Sequence, residues 1–334
     1  VERLANLDAV TSFTYDSQLA IAPTTHSYLL GEPLGIVAFV YEAFPELAIV
    51  VAGLCLRTGN GLMLKGGHEA SQTNQAIAQV FQSALTQADL PAQVVLAISP
   101  SEGEAARRWL MQTTELDLLI PYGRTSLVEQ VMREANSPSL STAIANCYLY
   151  WSHAVPTERV ASMVIDSHCG NPEPVNGIEK ILVDDKVSDS DIQVLSQLLK
   201  AQQLTVKIVP PPSMSPFTNP EEEEHWHEAQ LDHSVMVARV PNLVTAIALI
   251  NCYSNGHADG IATHSYTESV QFASQVRSAS VYVNASPRFQ RNSTQVSEIA
   301  LGMSAQRGLK GGRSTFDTLL THKAVVQGLE YYFC

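Results

Sequence analysis

At 334 residues the chain is long for a single core, so the expectation is two lobes of ordinary size. Hydrophobic residues at 45% and charged residues at 16% exclude a disordered chain and leave a modestly polar surface that suits self-association. Lys and Arg number 20 against 33 Asp and Glu, a net charge of −13 with no basic stripe among aromatics, so nucleic acid and anionic membrane are poor partners.

The five cysteines, Cys55, Cys147, Cys169, Cys252 and Cys334, are odd in number and scattered, with no C-x-x-C pair. They read as free thiols in a reducing compartment. Asn292-Ser293-Thr294 matches a glycosylation acceptor, but without a secretory signal the match reads as chance. Apolar stretches such as Leu47 to Leu56 are too short to span a bilayer. A start at Val1 leaves a removed organelle-targeting leader open.

In chain order, the apolar runs Gln18 to Ala22 and His26 to Leu30 around Pro23-Thr24-Thr25 predict a hairpin. Ile36 to Val40 is a continuous apolar run expected of a parallel strand covered on both faces. Pro45 to Arg57 predicts a buried helix stopped by Gly59, and Leu62 to Leu64 the next strand, ending in Lys65-Gly66-Gly67. From Glu69 to Ala88 the positions Ala76, Val80, Phe81, Ala84 and Leu85 predict the buried stripe of a crossover helix. Strand Val94 to Ile98, helix Gly103 to Gln112, strand Leu116 to Ile120 before Pro121, helix Leu127 to Ala135 and strand Asn146 to Trp151 complete a doubly wound pattern.

After residue 160 the rhythm restarts, which places a boundary near there. The run from Gly170 to Glu179, with Pro172, Pro174 and Asn176-Gly177, reads as a tight loop emptying into the buried strand Ile181 to Val183. Ser188 to Gln202 is a helix with Ile192, Leu195, Leu198 and Leu199 on one face, followed by strand Leu204 to Val209. Pro210 to Pro220 and Glu221 to Glu224 form an exposed excursion. The alternation resumes with Val235 to Val240, Leu243 to Tyr253, Gly260 to Thr263, Tyr266 to Val276 and Val281 to Asn284, and a late strand, Ala324 to Phe333, is placed to return to the opening hairpin.

Several blocks in order resemble the γ-glutamyl phosphate reductase (glutamate-5-semialdehyde dehydrogenase) family, including the reductase half of pyrroline-5-carboxylate synthase, in the aldehyde dehydrogenase superfamily. They are PLGIVAFVYEAFPELAIVVAGLCLRTGNGLMLKGGHEA from Pro33 to Ala70, DLLIPYGRTSL from Asp117 to Leu127, VNGIEKILV from Val175 to Val183, VYVNASPRF from Val281 to Phe289, and the segment around Met303 to Gln306. The resemblance implies an α/β fold: a lead segment and bridging hairpin over 1–32, a Rossmann-like cofactor domain over 33–160, a second α/β domain over 161–318, and a bridging strand over 319–334 that joins subunits into a homo-oligomer. Animal relatives imply the mitochondrial matrix, with the cytoplasm as the alternative.

The family's reaction resembles attack by a thiolate on a carbonyl followed by hydride delivery from a nicotinamide. In the family the thiol immediately precedes the asparagine matched by Asn176; here that position is Val175, which neither attacks nor ionises. Other motif positions differ too: Phe44 and Glu46 replace an arginine and an asparagine, Val50 an aspartate, Tyr122, Arg124 and Thr125 members of an Arg-Gly-Gly-Lys-Ser segment, Ser141 to Ala145 a Lys-His-Leu-Asp-Gly segment, and Ala300 a glutamate. On this pattern the expectation is a non-catalytic relative with a structural or assembly role, no cofactor, and Phe44, Tyr122 and Val175 filling the cleft. The alternative is an NADP-dependent aldehyde or acyl-phosphate oxidoreductase using a displaced Cys169 beside His168, and a third reading is a nucleotide-binding sensor. By resemblance Lys65, Gly66, Gly67, Glu69 and Ser126 are vestigial cofactor positions, against the alternative of Lys65 ending its strand in solvent; Cys169 is weighed against an ordinary buried cysteine.

His225, His227 and His233 match no metal-ligand spacing, so no metal is expected. Gly308 to Arg313 reads as a surface loop rather than a phosphate contact, and Arg288 as a partner for a carboxylate ligand, Glu173 or Glu46.

Overall fold

A computed structural model describes residues 13–15, 25–42, 44–99, 102–123, 125–143, 145–169, 175–212, 225–229, 233–292, 299–304 and 311–328. In chain order the elements are β1 (Phe13–Tyr15), β2 (Thr25–Pro33), β3 (Ile36–Tyr41), α1 (Glu46–Thr58), β4 (Gly61–Gly66), α2 (Ser71–Gln87), β5 (Val95–Ala97), α3 (Gly103–Gln112), β6 (Leu118–Gly123), α4 (Thr125–Glu134) and β7 (Thr142–Ala143). They continue with β8 (Cys147–Trp151), α5 (Thr157–Ser167), β9 (Ile178–Asp184), α6 (Asp189–Lys200), β10 (Thr205–Ile208), β11 (Ser234–Val240), α7 (Leu243–Tyr253), β12 (Ala258–Ala262), α8 (Tyr266–Gln275), β13 (Ser280–Val283), β14 (Gly302–Ser304), β15 (Gly312–Ser314) and β16 (Leu320–Gly328). Two compact units result: residues 1–141, 292–301 and 313–334, and residues 142–291 and 302–312.

The first unit holds parallel strands in the order β5-β4-β3-β6, the half-Rossmann arrangement. Strand β3 alternates its faces: Val37, Phe39 and Tyr41 pack with α1 residues such as Leu47 and Val51, while Ala38 and Val40 pack with Leu110 of α3 and Val131 of α4. Helix α1 stops where expected, because Gly59 takes the left-handed conformation at φ 78° and its N–H caps the Cys55 and Leu56 carbonyls. The next residue, Asn60, ties three segments together. Its side chain donates to Leu319 O at 2.8 Å and Thr58 Oγ1 at 2.7 Å and accepts from Gly35 N at 2.8 Å.

Three local expectations change. In α2 the buried stripe is Asn74 and Leu85 with Ile77 and Phe81 half-buried, and Val80 is 68% exposed. The cause is polar: Tyr41 Oη donates to Asn74 Oδ1 at 2.8 Å, which draws that side of the helix inward. Strand β6 runs on through Pro121 to Gly123, opposite β3, so the proline that read as its end lies inside it. The hairpin strand paired with β2 is Phe13–Tyr15, and Gln18 to Ala22 lie outside the described residues. On the other side of β2, β16 runs antiparallel from Leu320 opposite Pro33 to Gly328 opposite Thr25, four residues ahead of the expected start at Ala324.

The second unit is built on a parallel sheet ordered β10-β11-β9-β8-β12-β13. Every residue of β9 is buried. One face packs on α5 and α6 through Val160, Val164, Leu195 and Leu199, and the other on α7 and α8 through Ala246, Ile250 and Phe272. Ser188, Asn242 and Ser265 cap α6, α7 and α8 by accepting backbone N–H bonds. Strand β8, grouped by its sequence position with the first lobe, sits mid-sheet between β9 and β12, and the break between units falls after Ser141 rather than near 160. Among the described residues no helix is long and apolar enough to cross a membrane.

Two outcomes follow for stability. Asn60→Ala leaves the half-buried Gly35 N–H and the buried Leu319 carbonyl unpaired, and urea unfolding should show a loss of about 2–4 kcal/mol. His257, at the head of β12, is buried with Nδ1 unpartnered among the described residues, and burial lowers its pKa from the ordinary 6.5 to about 4. Between those values the unfolded chain binds the extra proton, so the contribution is present above 6.5 and is lost as pH falls to 4, by up to about 3 kcal/mol. Unfolding free energy measured across that window should fall more steeply for the native chain than for His257→Gln; equal slopes contradict the assignment.

Candidate functional site

In the first unit β4 delivers Lys65 and Gly66 to a turn that continues through Gly67 and the single 3-10 turn His68–Ala70 into α2. Close approach rather than backbone angle calls for glycine at Gly66, which faces the buried Asn74 and Tyr41, whereas at Gly67 only the flexible end of Glu69 would have to swing aside. A Cβ on Gly66 would stand 2.1 Å from Asn74 Nδ2, and one on Gly67 2.1 Å from Glu69 Oε1. Lys65 does not end in solvent: it is 8% exposed, its Nζ donates to Gly66 O at 2.9 Å, and burial with Arg107 nearby holds its pKa below the usual lysine range. Lys65, Gly66, Gly67 and Glu69 thus share one turn. Ser126 stands exposed on the first turn of α4.

Beside the turn lies a cavity of about 300 Å³ bounded by Tyr41, Gly66, Asn74, Gln79, Ala97 and Ile98. It opens at the carboxyl ends of parallel strands, where open α/β sheets hold nucleotides. A turn kept bare of side chains next to a cavity and a cationic group fits the adenosine end of a dinucleotide. Phe44 and Tyr122 are packed edge to face at 6.3 Å, and Tyr122 is buried near Phe39, so these two aromatics belong to the first unit's own core.

In the second unit Val175 is buried, and its carbonyl accepts from Ala145 N at 3.0 Å. Asn176 is 1% exposed; Nδ2 donates to Pro287 O at 3.1 Å, and Oδ1 has no partner among the described residues. The end of α5 is fastened to the head of β9 twice: Ile178 N donates to Ser167 Oγ at 3.0 Å, and His168 Nε2 donates to Ile178 O at 2.9 Å. Because Nε2 carries the proton for that bond, Nδ1 of His168 is the unprotonated nitrogen, and burial keeps the ring below its ordinary pKa.

Cys169 comes next and is exposed, not buried, with Sγ donating to Ile165 O at 3.4 Å. Helix α5 closes in a turn at His168, and that turn carries the thiol outward. A cavity of about 240 Å³ lined by Ile165, His168, Cys169, Gln203, Leu204 and His233 opens there. A thiol, two imidazoles and the carboxamides of Gln202 and Gln203 on one cavity are a set suited to nucleophilic chemistry. The sequence reading pairs His168 with Cys169 but does not bring Gln203 or His233 to them, because these come from two other segments.

Elsewhere, His225 and His227 are exposed, the His227 ring lies 4.7 Å from that of Tyr253, and among the described residues no group of three His, Cys, Asp or Glu is placed to hold a metal. Arg288 pairs with Asp166 at 3.1 Å rather than with Glu173 or Glu46; Glu173 lies outside the described residues, as do residues 305–310. Cys55 and Cys147 are buried, which pushes the Cys55 thiol up to about 12 and raises that of Cys147.

Compared with known proteins, the chain is 40% identical over 334 residues to γ-glutamyl phosphate reductase 2 of Synechocystis, covering 98% of this chain and 78% of that protein. It is 32% identical over 298 residues to γ-glutamyl phosphate reductase of Clostridium beijerinckii, covering 89% and 72%. Among solved structures, γ-glutamyl phosphate reductase from Thermotoga maritima matches with a TM-score of 0.83 at 26% identity, covering 100% of this chain and 80% of that one. An engineered glycolyl-CoA reductase with bound NADP+ matches at 0.69 and 13% identity over 98% and 80%, which shows the fold alone. No family model matches the chain.

These relatives are named as reductases, and that overturns the expectation of a non-catalytic, purely structural protein. Val175 states what one side chain cannot do; it does not state what the chain cannot do. The expected absence of a cofactor and the mitochondrial setting likewise find no support in these bacterial reductases. With its aldehyde dehydrogenase-like α/β fold, the chain belongs to the γ-glutamyl phosphate reductase family.

Proposed function

We propose that the chain is an NADP-dependent oxidoreductase interconverting an acyl phosphate of the γ-glutamyl phosphate type and its aldehyde, with Cys169 as the thiol that takes the acyl group. The observation that carries this reading is identity at 40% across 98% of the chain to a γ-glutamyl phosphate reductase. Cys169 is chosen because it is exposed on a cavity six residues ahead of Val175, whose isopropyl group is inert. In the acylation step the thiolate sulfur bonds to the carbonyl carbon as the bond from that carbon to the phosphate oxygen breaks, and phosphate departs. A nicotinamide dinucleotide supplies hydride when bound, and Lys65, Gly66, Gly67 and Ser126 are the residues that would hold it. A homo-oligomer formed through β1, β2 and β16 belongs to the same reading, supported by a β16 exposed along most of its length.

Two measurements test it. NADPH oxidation with γ-glutamyl phosphate generated in place, or NADP reduction by the semialdehyde in phosphate buffer, should show turnover that falls at least about 100-fold in Cys169→Ser and survives Cys252→Ser. No turnover by the native chain, or undiminished turnover in Cys169→Ser, contradicts the proposal. An alkylating probe on the native chain should label Cys169 ahead of Cys55 and Cys147, whose thiols are buried and held protonated; equal labelling of all three would sink the choice of sulfur.

A further inference from the structure

The cavity at the end of α5 holds three ionisable side chains, Cys169, His168 and His233, and their surroundings give each a different part. The Cys169 thiol is exposed there, with Sγ donating to Ile165 O at 3.4 Å. His168 is committed elsewhere: Nε2 holds Ile178 O at 2.9 Å, and Nδ1 is buried. Burial first, and the neighbouring His233 ring after it, keep this imidazole below its ordinary pKa. A ring fixed in that way positions the end of α5 and resists taking up a proton. His233 is the remaining group. It is exposed, lines the same cavity, and its ring makes no hydrogen bond among the described residues.

The backbone is bent to bring it there. His233 has φ 53° and Gln203 φ 63°, the left-handed region that residues with side chains seldom occupy, and both line this one cavity. Each is pinned by a backbone bond: Gln203 N donates to Lys200 O at 3.0 Å, and the His233 carbonyl accepts from Thr205 N at 2.9 Å, the first rung between β10 and β11. Among the described residues no carboxylate, lysine or arginine lines the cavity. Asp166 on α5, Lys200 on α6 and Lys207 on β10 lie off its lining, and Asp166 is taken by Arg288 at 3.1 Å. With His168 held neutral, the thiol and the His233 imidazole are left as each other's partner for a proton.

We propose that His233 is the general base and then the general acid for Cys169. In the acylation step the S–H bond breaks as its proton passes to a ring nitrogen of His233, and sulfur bonds to the acyl carbon. The bond from that carbon to the phosphate oxygen breaks, the same proton moves to that oxygen, and hydrogen phosphate leaves with nothing oxidised or reduced. The inference rests on the reading that Cys169 takes the acyl group, but its test needs no substrate. Alkylation of Cys169 by iodoacetamide, followed by peptide mass spectrometry, is compared between the native chain and His233→Asn. Asparagine accepts the left-handed backbone, so circular dichroism should show the variant folded. At about pH 6.5 the variant should react about tenfold more slowly, and at about pH 9.5 the two rates should agree, because a thiol needs a base only where it is not already ionised. In His233→Gly, added imidazole should restore most of the rate lost on the acid side. Equal rates at both pH values, a loss of the same size at both, or no restoration by imidazole overturns the assignment. Absent turnover with the tenfold difference intact overturns the reductase reading and upholds the pair; turnover through Cys169 with no difference does the reverse.

Discussion

Strand β9 lies buried along all seven residues, Glu179 and Lys180 included, and much of the second unit depends on how that burial is satisfied. Lys180 Nζ is held by Glu179 Oε2 at 3.0 Å and by the Glu228 carbonyl at 2.5 Å, and burial lowers its pKa. A buried pair of this kind contributes little net stability but punishes any loss of a partner, so the register of β9 is tightly defined. Nothing reactive can be displayed from such a strand. Chemistry has to come from the chain that feeds its head, and there the two bonds from Ser167 and His168 to Ile178 fix the end of α5. Val175 and Asn176 sit inside that junction and Cys169 outside it, which makes the helix end the place where an accessible sulfur meets a cavity.

A similar logic runs through the first unit. The pocket at the ends of β3, β4 and β5 is bordered by two polar contacts of Asn74, which accepts from Tyr41 Oη and donates to Gly67 O and so holds the first turns of α2 against the sheet. Gly66 and Gly67 keep the adjoining turn free of side chains, and Lys65 folds back onto Gly66. In each unit an element is oriented by a few hydrogen bonds to backbone or to a buried amide, and the surface chemistry follows from that orientation.

The strands were readable because a parallel strand covered on both faces carries a continuous apolar run, as Ile36–Tyr41 and Ile181 to Val183 do. Helix ends with a local signal, Gly59 and Ser188, were readable for the same local reason. What failed was whatever depends on a distant partner. The inward face of α2 is decided by Tyr41, thirty-three residues before Asn74. The membership of β8 is decided by β9 and β12, and the exposure of Cys169 by the turn that closes α5. The candidate site was half legible: the Lys65-Gly66-Gly67-Glu69 turn is contiguous in sequence, whereas the cavity around Cys169 is gathered from three segments. The inference from Val175 to inactivity failed for another reason, since it took one side chain for the whole reaction.

The account turns on whether a sulfur outside the head of β9 accepts the acyl group. Native chain mixed with an acyl phosphate in the absence of reductant, quenched in acid and mapped by peptide mass spectrometry, tests this most directly. The predicted result is one acyl mass on the peptide that carries Cys169. An unmodified Cys169 peptide, or an acyl group found on any other residue, would contradict it.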